Sequence, residues 1–142
     1  MINEFSGEYR WLSNFWSCVV TLDGIPYPTI ENAYQAAKTM NNIERIPFQY
    51  ISPFHAKSMG RKISLRLDWD FVKPHIMKSL LIEKFEQEEF REKLINTDNS
   101  PIIEGNTWGD VYWGVCDGKG KNLLGIMIMD IRADIHNEQF FS

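Results

Sequence analysis

The sequence predicts an α+β fold: a compact single domain, mainly helical with a small β-sheet. Three observations carry that expectation. A hairpin signal, Asp23-Gly24, follows a Val- and Thr-bearing run; helical periodicity fills the middle of the chain; and a short strand, Ile102-Ile103-Glu104, precedes a C-terminal helix. A doubly wound parallel sheet would need strands alternating with helices throughout, and this order does not supply them. With 142 residues, 44% of them hydrophobic and 13% aromatic, the chain is read as one domain spanning residues 1–142.

Taken in order, Met1 to Ser13 is a polar and aromatic lead-in, and Trp11-Leu12-Ser13-Asn14-Phe15 brackets two polar side chains between large apolar ones. Asn14 there reads either as a turn residue satisfying its own backbone or as a polar group held beside a site. Trp16 to Leu22 is expected to be a strand, turned back by Asp23-Gly24 through Ile25 and Tyr27. Pro28 favours an extended approach, Thr29 is a helix N-cap, and alanine-rich sequence carries the helix to about Met40. Asn41 to Ser52 is a connection with helical turns, and Ser52-Pro53 starts a helix that Gly60 closes. Pro74 must lie near a helix start, so the main helix is expected from Val72 or Lys73 to Phe85, followed by a second from Glu88 to Ile95. Asn122 caps the last helix, Leu123 to about Ile135, in which Gly125 permits close packing.

Composition excludes several functions. The formal net charge of −4 argues against a broad basic surface, leaving room for a local phosphate site. Cys18 and Cys116 form no CxxC pair, and His55, His75 and His136 are scattered, so neither a zinc site nor a disulfide framework is indicated. Metal-independent chemistry without a cofactor is expected. No secretory signal or membrane-length apolar run is present, which suits a cytoplasmic protein with no membrane partner.

Three stretches carry the chemistry. On the Thr29-capped helix, at roughly 100° per residue, Ile30, Ala33, Ala36, Ala37 and Met40 share an apolar side. Glu31, Gln35 and Lys38 share another, either a solvated face or a polar strip presented to a cleft. Arg61, Lys62 and Arg66, before Asp68-Trp69, form a basic segment that is either a solvated charge cluster or a phosphate grip, since guanidinium matches phosphate oxygens. From Asn106 to Asn122 run Trp108, Asp110, Trp113, Lys119 and four of the nine glycines, which suits close backbone approach. The pattern is not a Walker A loop.

These segments together resemble the YbiA-like proteins of the NADAR superfamily, associated with NAD and ADP-ribose metabolism. The resemblance spans nearly the whole chain. It rests on Leu12-Ser13-Asn14-Phe15, the Pro28 to Lys38 helix, Gly60-Arg61 with Trp69, Lys84-Phe85, Asp110-Val111-Tyr112-Trp113-Gly114, and Gly118 to Gly125 with Met129 and Arg132. It implies an N-glycosidase that hydrolyses the bond between a base nitrogen and the anomeric carbon of a phosphorylated ribose, as in early riboflavin-pathway intermediates. Removal of ADP-ribose from guanine bases in nucleic acid, and non-catalytic ADP-ribose binding, are the alternatives. Either hydrolysis would place Glu31 and Asp110 as the two carboxylates of an oxocarbenium-like reaction. Arg61 and Lys119 would hold phosphate, and Trp69 and Trp113 would stack on the base or exclude water, with Asn14, Gly114 and Asn122 also at the substrate. Lys38 is either a nucleophile forming a Schiff base or the ion-pair partner of Glu31.

Overall fold

The computed structural model describes residues 1–141, with side chains through residue 139. In chain order the elements are β1 (Ile2–Glu4), a 3-10 turn (Gly7–Leu12), β2 (Val20–Leu22), β3 (Ile25–Tyr27), α1 (Ile30–Ala36) and α2 (Asn42–Arg45). Then follow a second 3-10 turn (Ile46–Gln49), α3 (Pro53–Met59), α4 (Trp69–Glu86), α5 (Glu88–Ile95), β4 (Ile102–Asn106), β5 (Val115–Cys116) and α6 (Leu123–Phe141). This is the mainly helical α+β class with little sheet that the sequence predicts. The chain packs as two units, Asn14–Lys84 and Met1–Ser13 with the chain from Phe85 onward.

In the Asn14–Lys84 unit, β2 and β3 form the predicted hairpin, pairing Val20 with Tyr27 and Leu22 with Ile25. Its turn places Asp23 at φ 51° and Gly24 at φ 79°, the left-handed pair that matches strand twist. The strand is shorter than the Trp16–Leu22 expectation: pairing stops at Val20 and Tyr27, and the next residue of the partner, Pro28, has no amide to donate to a ladder. In that earlier stretch the Cys18 amide donates to the Pro28 carbonyl at 3.0 Å, continuing the pairing beyond the strand. Helix α4 starts three residues before the expected Val72, since the loss of one amide at Pro74 is tolerated so near the helix start. Met77, Leu80, Leu81 and Phe85 are buried on it. Glu83 fixes β2 from α4, its two carboxylate oxygens each accepting the Thr21 amide at 2.9 Å.

In the other unit, β1, β4 and β5 make a parallel three-stranded sheet in the order β1-β4-β5. Only Ile2 of β1 is buried, and β5 has two residues, so neither strand carries the alternation that betrays one in sequence. The expected short strand, Ile102 to Glu104, extends to Asn106, and α5 has its expected bounds, whereas α6 runs beyond the expected Ile135. Gly125 is glycine for the reason anticipated. A Cβ there would meet the Ile102 carbonyl and the Asn122 side chain.

Candidate functional site

Helix α1 is buried along its whole length, and this decides how its polar strip is to be understood. Thr29 caps it, its hydroxyl accepting the Asn32 amide at 3.1 Å and donating to Asn32 Oδ1 at 2.6 Å. Asn32 in turn donates to the carbonyls of Phe48 and Ile51, both at 2.8 Å, so its amide is wholly given over to the fold. The helix ends at Ala36, not near Met40. Lys38 and Thr39 close it with bonds to the Gln35 and Ala36 carbonyls, and Met40 is 62% exposed instead of joining the apolar side. The tightening follows from Thr39 and Asn41, which turn the chain: the Thr39 hydroxyl accepts the Asn41 amide, and Arg45 Nε donates to the Thr39 carbonyl at 2.8 Å.

Glu31 is 8% exposed and Gln35 4%, so the strip is not a solvated face. Gln35 Nε2 donates to Glu31 Oε1 at 2.8 Å. The Glu31 amide donates to the Asn14 carbonyl at 3.1 Å, which ties the Trp11–Phe15 segment's polar member to the start of α1. The Asn14 side chain donates from Nδ2 to Met77 Sδ at 3.5 Å, and its Oδ1 is buried without a hydrogen-bond partner. Asn14 therefore does not satisfy its own backbone as a simple turn residue would.

Lys38, half-buried in the closing turn, has its ammonium 6.0 Å from the ring centroids of both Tyr34 and Trp69. Those rings lie 5.1 Å apart, and Trp69 is 7% exposed, so its indole is a wall beside the ammonium more than an open stacking face. Burial lowers the proton affinity of Lys38; the Glu31 carboxylate opposes that shift, and the charges of Arg61, Lys73 and Lys57 reinforce it. The basic segment divides by role. Arg66 is engaged by Asp68, with Nε to Oδ1 at 2.7 Å and Nη2 to Oδ2 at 3.2 Å, and its amide donates to the Lys38 carbonyl at 2.7 Å. Arg61 and Lys62 are exposed, and Arg61 contributes to the positive field at Lys38 together with two lysines that sequence reasoning passed over. Lys57 stands four residues before Arg61, a helical spacing that was readable; Lys73 is brought in by α4 and had no local signal. A third lysine, Lys84, is fully buried, and desolvation lowers its pKa to about 8 against an opposing contribution from Cys18.

The remaining predicted residues belong to the loop between β4 and α6, where polar side chains are spent on backbone. Asp110 Oδ1 accepts the amides of Tyr112 at 3.1 Å and Trp113 at 2.9 Å. Asn106, which sequence reasoning gave no role, grips both backbone groups of Asp110: its Oδ1 accepts that amide at 3.0 Å and its Nδ2 donates to that carbonyl at 2.9 Å. Asn122 joins α6 to β4, accepting the Glu104 amide at 2.9 Å and donating to the Ile102 carbonyl at 3.0 Å. Gly114 is buried where a Cβ would overlap the Glu104 carbonyl. Close backbone approach is thus realised, against the protein itself. Trp113 is half-buried with its ring edge-on to Tyr112 at 4.7 Å, and Lys119 is exposed on a tight turn closed by reciprocal Cys116 and Lys119 backbone bonds.

Comparison with known proteins gives the family and the fold. A family model described as the NADAR domain matches residues 3–136. The N-glycosidase YbiA of Escherichia coli is 37% identical over 139 residues, covering 94% of this chain and 86% of its own length. An N-glycosidase of Nostoc punctiforme is 33% identical, covering 91% and 87%. The NMR structure of the E. coli protein YbiA superposes with a TM-score of 0.83 at 34% sequence identity, covering 99% of this chain and 89% of that one.

Proposed function

The chain belongs to the NADAR domain family, and from that premise we propose that it is an N-glycosidase, a hydrolase that cleaves the bond between a base nitrogen and the anomeric carbon of a phosphorylated ribose. The observation that carries the reading is the buried strip of α1. A carboxylate and an amine withdrawn from water, with an amide donating to the carboxylate, are costly to bury and suit a reacting centre better than a surface.

In this reading the ionised Glu31 faces the anomeric carbon as the C–N bond lengthens and positive charge develops there, and it orients the attacking water. The Glu31 carboxylate and the Lys38 amine are electrostatically coupled, the carboxylate favouring the protonated amine. Arg61, with Lys57 and Lys73, supplies the local positive field for phosphate that an acidic chain otherwise lacks. Trp69 and Tyr34 exclude water around Lys38. A ribosylated pyrimidine of the riboflavin route is the preferred substrate class, because a relative from Vibrio vulnificus, 28% identical over 90% of this chain and 36% of its own length, is named a riboflavin biosynthesis protein.

The lowered proton affinity of Lys38 is the observation behind a second route through the same site. Its amine, once deprotonated, bonds to the anomeric carbon as the C–N bond to the base breaks and the base leaves with a proton; the ring C–O bond opens to give a Schiff base, and water hydrolyses that imine to free the sugar and the lysine. One assay series tests both. The protein is incubated with a diaminopyrimidinone N-linked to ribose 5-phosphate and, separately, with an ADP-ribosylated guanosine oligonucleotide, and free base and sugar are measured with and without borohydride. Base release from the first substrate is expected, falling at least roughly 10²-fold in kcat in Glu31→Gln. Covalent sugar on Lys38 after reduction would select the Schiff-base route, release from the oligonucleotide alone would move the substrate class to ADP-ribose, and turnover of neither would sink the proposal.

A further inference from the structure

We propose that Gln35 is a positioning residue for Glu31, and that residue 60 is glycine because that arrangement requires it; the inference rests on the reading of Glu31 as the carboxylate at the anomeric carbon. Gln35 Nε2 donates to Glu31 Oε1 at 2.8 Å inside the protein, one helical turn along α1. The direction of the amide is settled by chemistry. With Glu31 ionised and the amide reversed, the Gln35 carbonyl oxygen would face a carboxylate oxygen, two acceptors with no proton between them.

The other end of the same amide is the informative one. Gln35 Oε1 is buried and has no hydrogen-bond partner, although Gln35 is only 4% exposed. An unsatisfied buried oxygen lowers stability, and an apolar side chain of similar length would avoid it. The position is therefore better explained by what its donor does than by what the side chain adds to packing. The donor holds Glu31 in one rotamer and favours its charged form, which are the two properties an electrostatic stabiliser needs before substrate arrives.

Gly60 completes the arrangement from α3. It caps that helix at φ −60° and ψ −17°, ordinary right-handed backbone that any residue adopts, so its being glycine is not a matter of conformation. A Cβ at residue 60, however, would overlap Gln35 Oε1 and stand 2.8 Å from Gln35 Cδ. Glycine leaves the space in which the Gln35 amide lies, and the amide in turn reaches Glu31.

The test uses the full-length protein and two readouts: the acid limb of kcat/KM for the diaminopyrimidinone riboside 5-phosphate, and the titration of the Glu31 carboxyl carbon by NMR. Gln35→Met removes the donor while preserving bulk. It is expected to raise the Glu31 pKa, move the acid limb upward with it and lower kcat about tenfold with KM within about twofold, as loss of orientation without loss of binding predicts. Gly60→Ala displaces the amide and is expected to shift the carboxyl titration in the same direction, whereas in a Gln35→Ala background the same change is expected to add nothing. An unshifted carboxyl titration in Gln35→Met, or additive shifts in the Gly60→Ala and Gln35→Ala pair, would overturn the proposal. Glu31→Gln separates the two readings. If that variant turns over at the parental rate, the catalytic reading of Glu31 fails and the kinetic half of the proposal with it, while the carboxyl titration still decides whether Gln35 holds Glu31.

Discussion

Helix α1 and the loop between β4 and α6 are built from similar residues and use them in opposite ways. In the loop, Asn106, Asp110 and Asn122 give their hydrogen-bonding atoms to backbone, and Gly114 lets two backbone segments touch. In α1, Asn32 does the same, but Glu31 and Gln35 are withdrawn from water and bonded to each other, and Lys38, half-buried in the turn that closes the helix, is coupled to Glu31 and to its neighbours' charges. Polar side chains that complete a backbone make structure. Polar side chains buried against each other keep chemical capacity at a cost in stability.

The glycines offer the sharpest way to break that comparison. At Gly114 the obstructing atom is the Glu104 carbonyl, with Asn106 Nδ2 2.8 Å from the added carbon, and backbone has nowhere to go. Gly114→Ala is expected to destabilise the fold by about 3 kcal/mol or more, the upper range of overpacking. At Gly60 the obstruction is the end of a side chain, so Gly60→Ala is expected to cost about 1 kcal/mol. Urea unfolding of the two variants side by side checks this, and equal losses would show that Gln35 is as rigidly held as backbone.

How much of this was legible beforehand follows the same division. Local signals read well: Asp23-Gly24 set the hairpin, Thr29 and Ser52 set helix starts, and Glu88–Ile95 was found with its bounds, because each depends on neighbours in sequence. Strands β1 and β5 went unread, since they exist only through parallel pairing to β4. The strip Glu31, Gln35, Lys38 was visible as a spacing, but spacing cannot say whether a polar face is wet or buried. Asp110 presented the reverse difficulty. A carboxylate among tryptophans and glycines has the composition of a site, and its bonds to the Tyr112 and Trp113 amides have no signature beyond the two- and three-residue offsets common to any Asp-initiated turn.

Lys84 measures what the Asn14–Lys84 unit forgoes by burying ionisable groups. It is 0% exposed, and its pKa in the fold is lowered from 10.5 to about 8, chiefly by desolvation. Below about pH 8 the lysine is protonated in both folded and unfolded states, and the cost of burying the charge is present in full. Between about 8 and 10.5 the unfolded chain holds a proton that the folded one does not, so stability rises with pH across that window. The rise amounts to about 3 kcal/mol at ~1.4 kcal/mol per pKa unit. Chemical denaturation of the Cys18→Ser protein and of the same protein carrying Lys84→Met, at matched pH, isolates it, because the thiol coupled to Lys84 is then gone from both. A difference between the two that stays flat from pH 8 to 10.5 would mean that Lys84 keeps its proton in the fold.

The smallest expected effect is the most discriminating for the loop. Asp110 entered as a candidate for the second carboxylate of the reaction, and in the structure its Oδ1 holds two successive amides, those of Tyr112 and Trp113. Asparagine preserves that acceptor and removes only the charge; alanine removes both. If the loop-forming role is the main one, Asp110→Asn should lie within about 0.5 kcal/mol of the parent in stability and within about threefold in kcat, since a neutral amide oxygen still accepts both bonds. Asp110→Ala should lose about 1–2 kcal/mol, the cost of leaving amides without their partner in a half-buried turn. A catalytic carboxylate predicts the opposite ordering in kcat, with Asp110→Asn falling about 10²-fold or more while its unfolding curve is unmoved. Turnover and urea midpoints measured on the same two variants therefore separate structure from chemistry at this position, and a large kcat loss in Asp110→Asn would restore Asp110 to the reacting centre and erase the contrast drawn between the loop and α1.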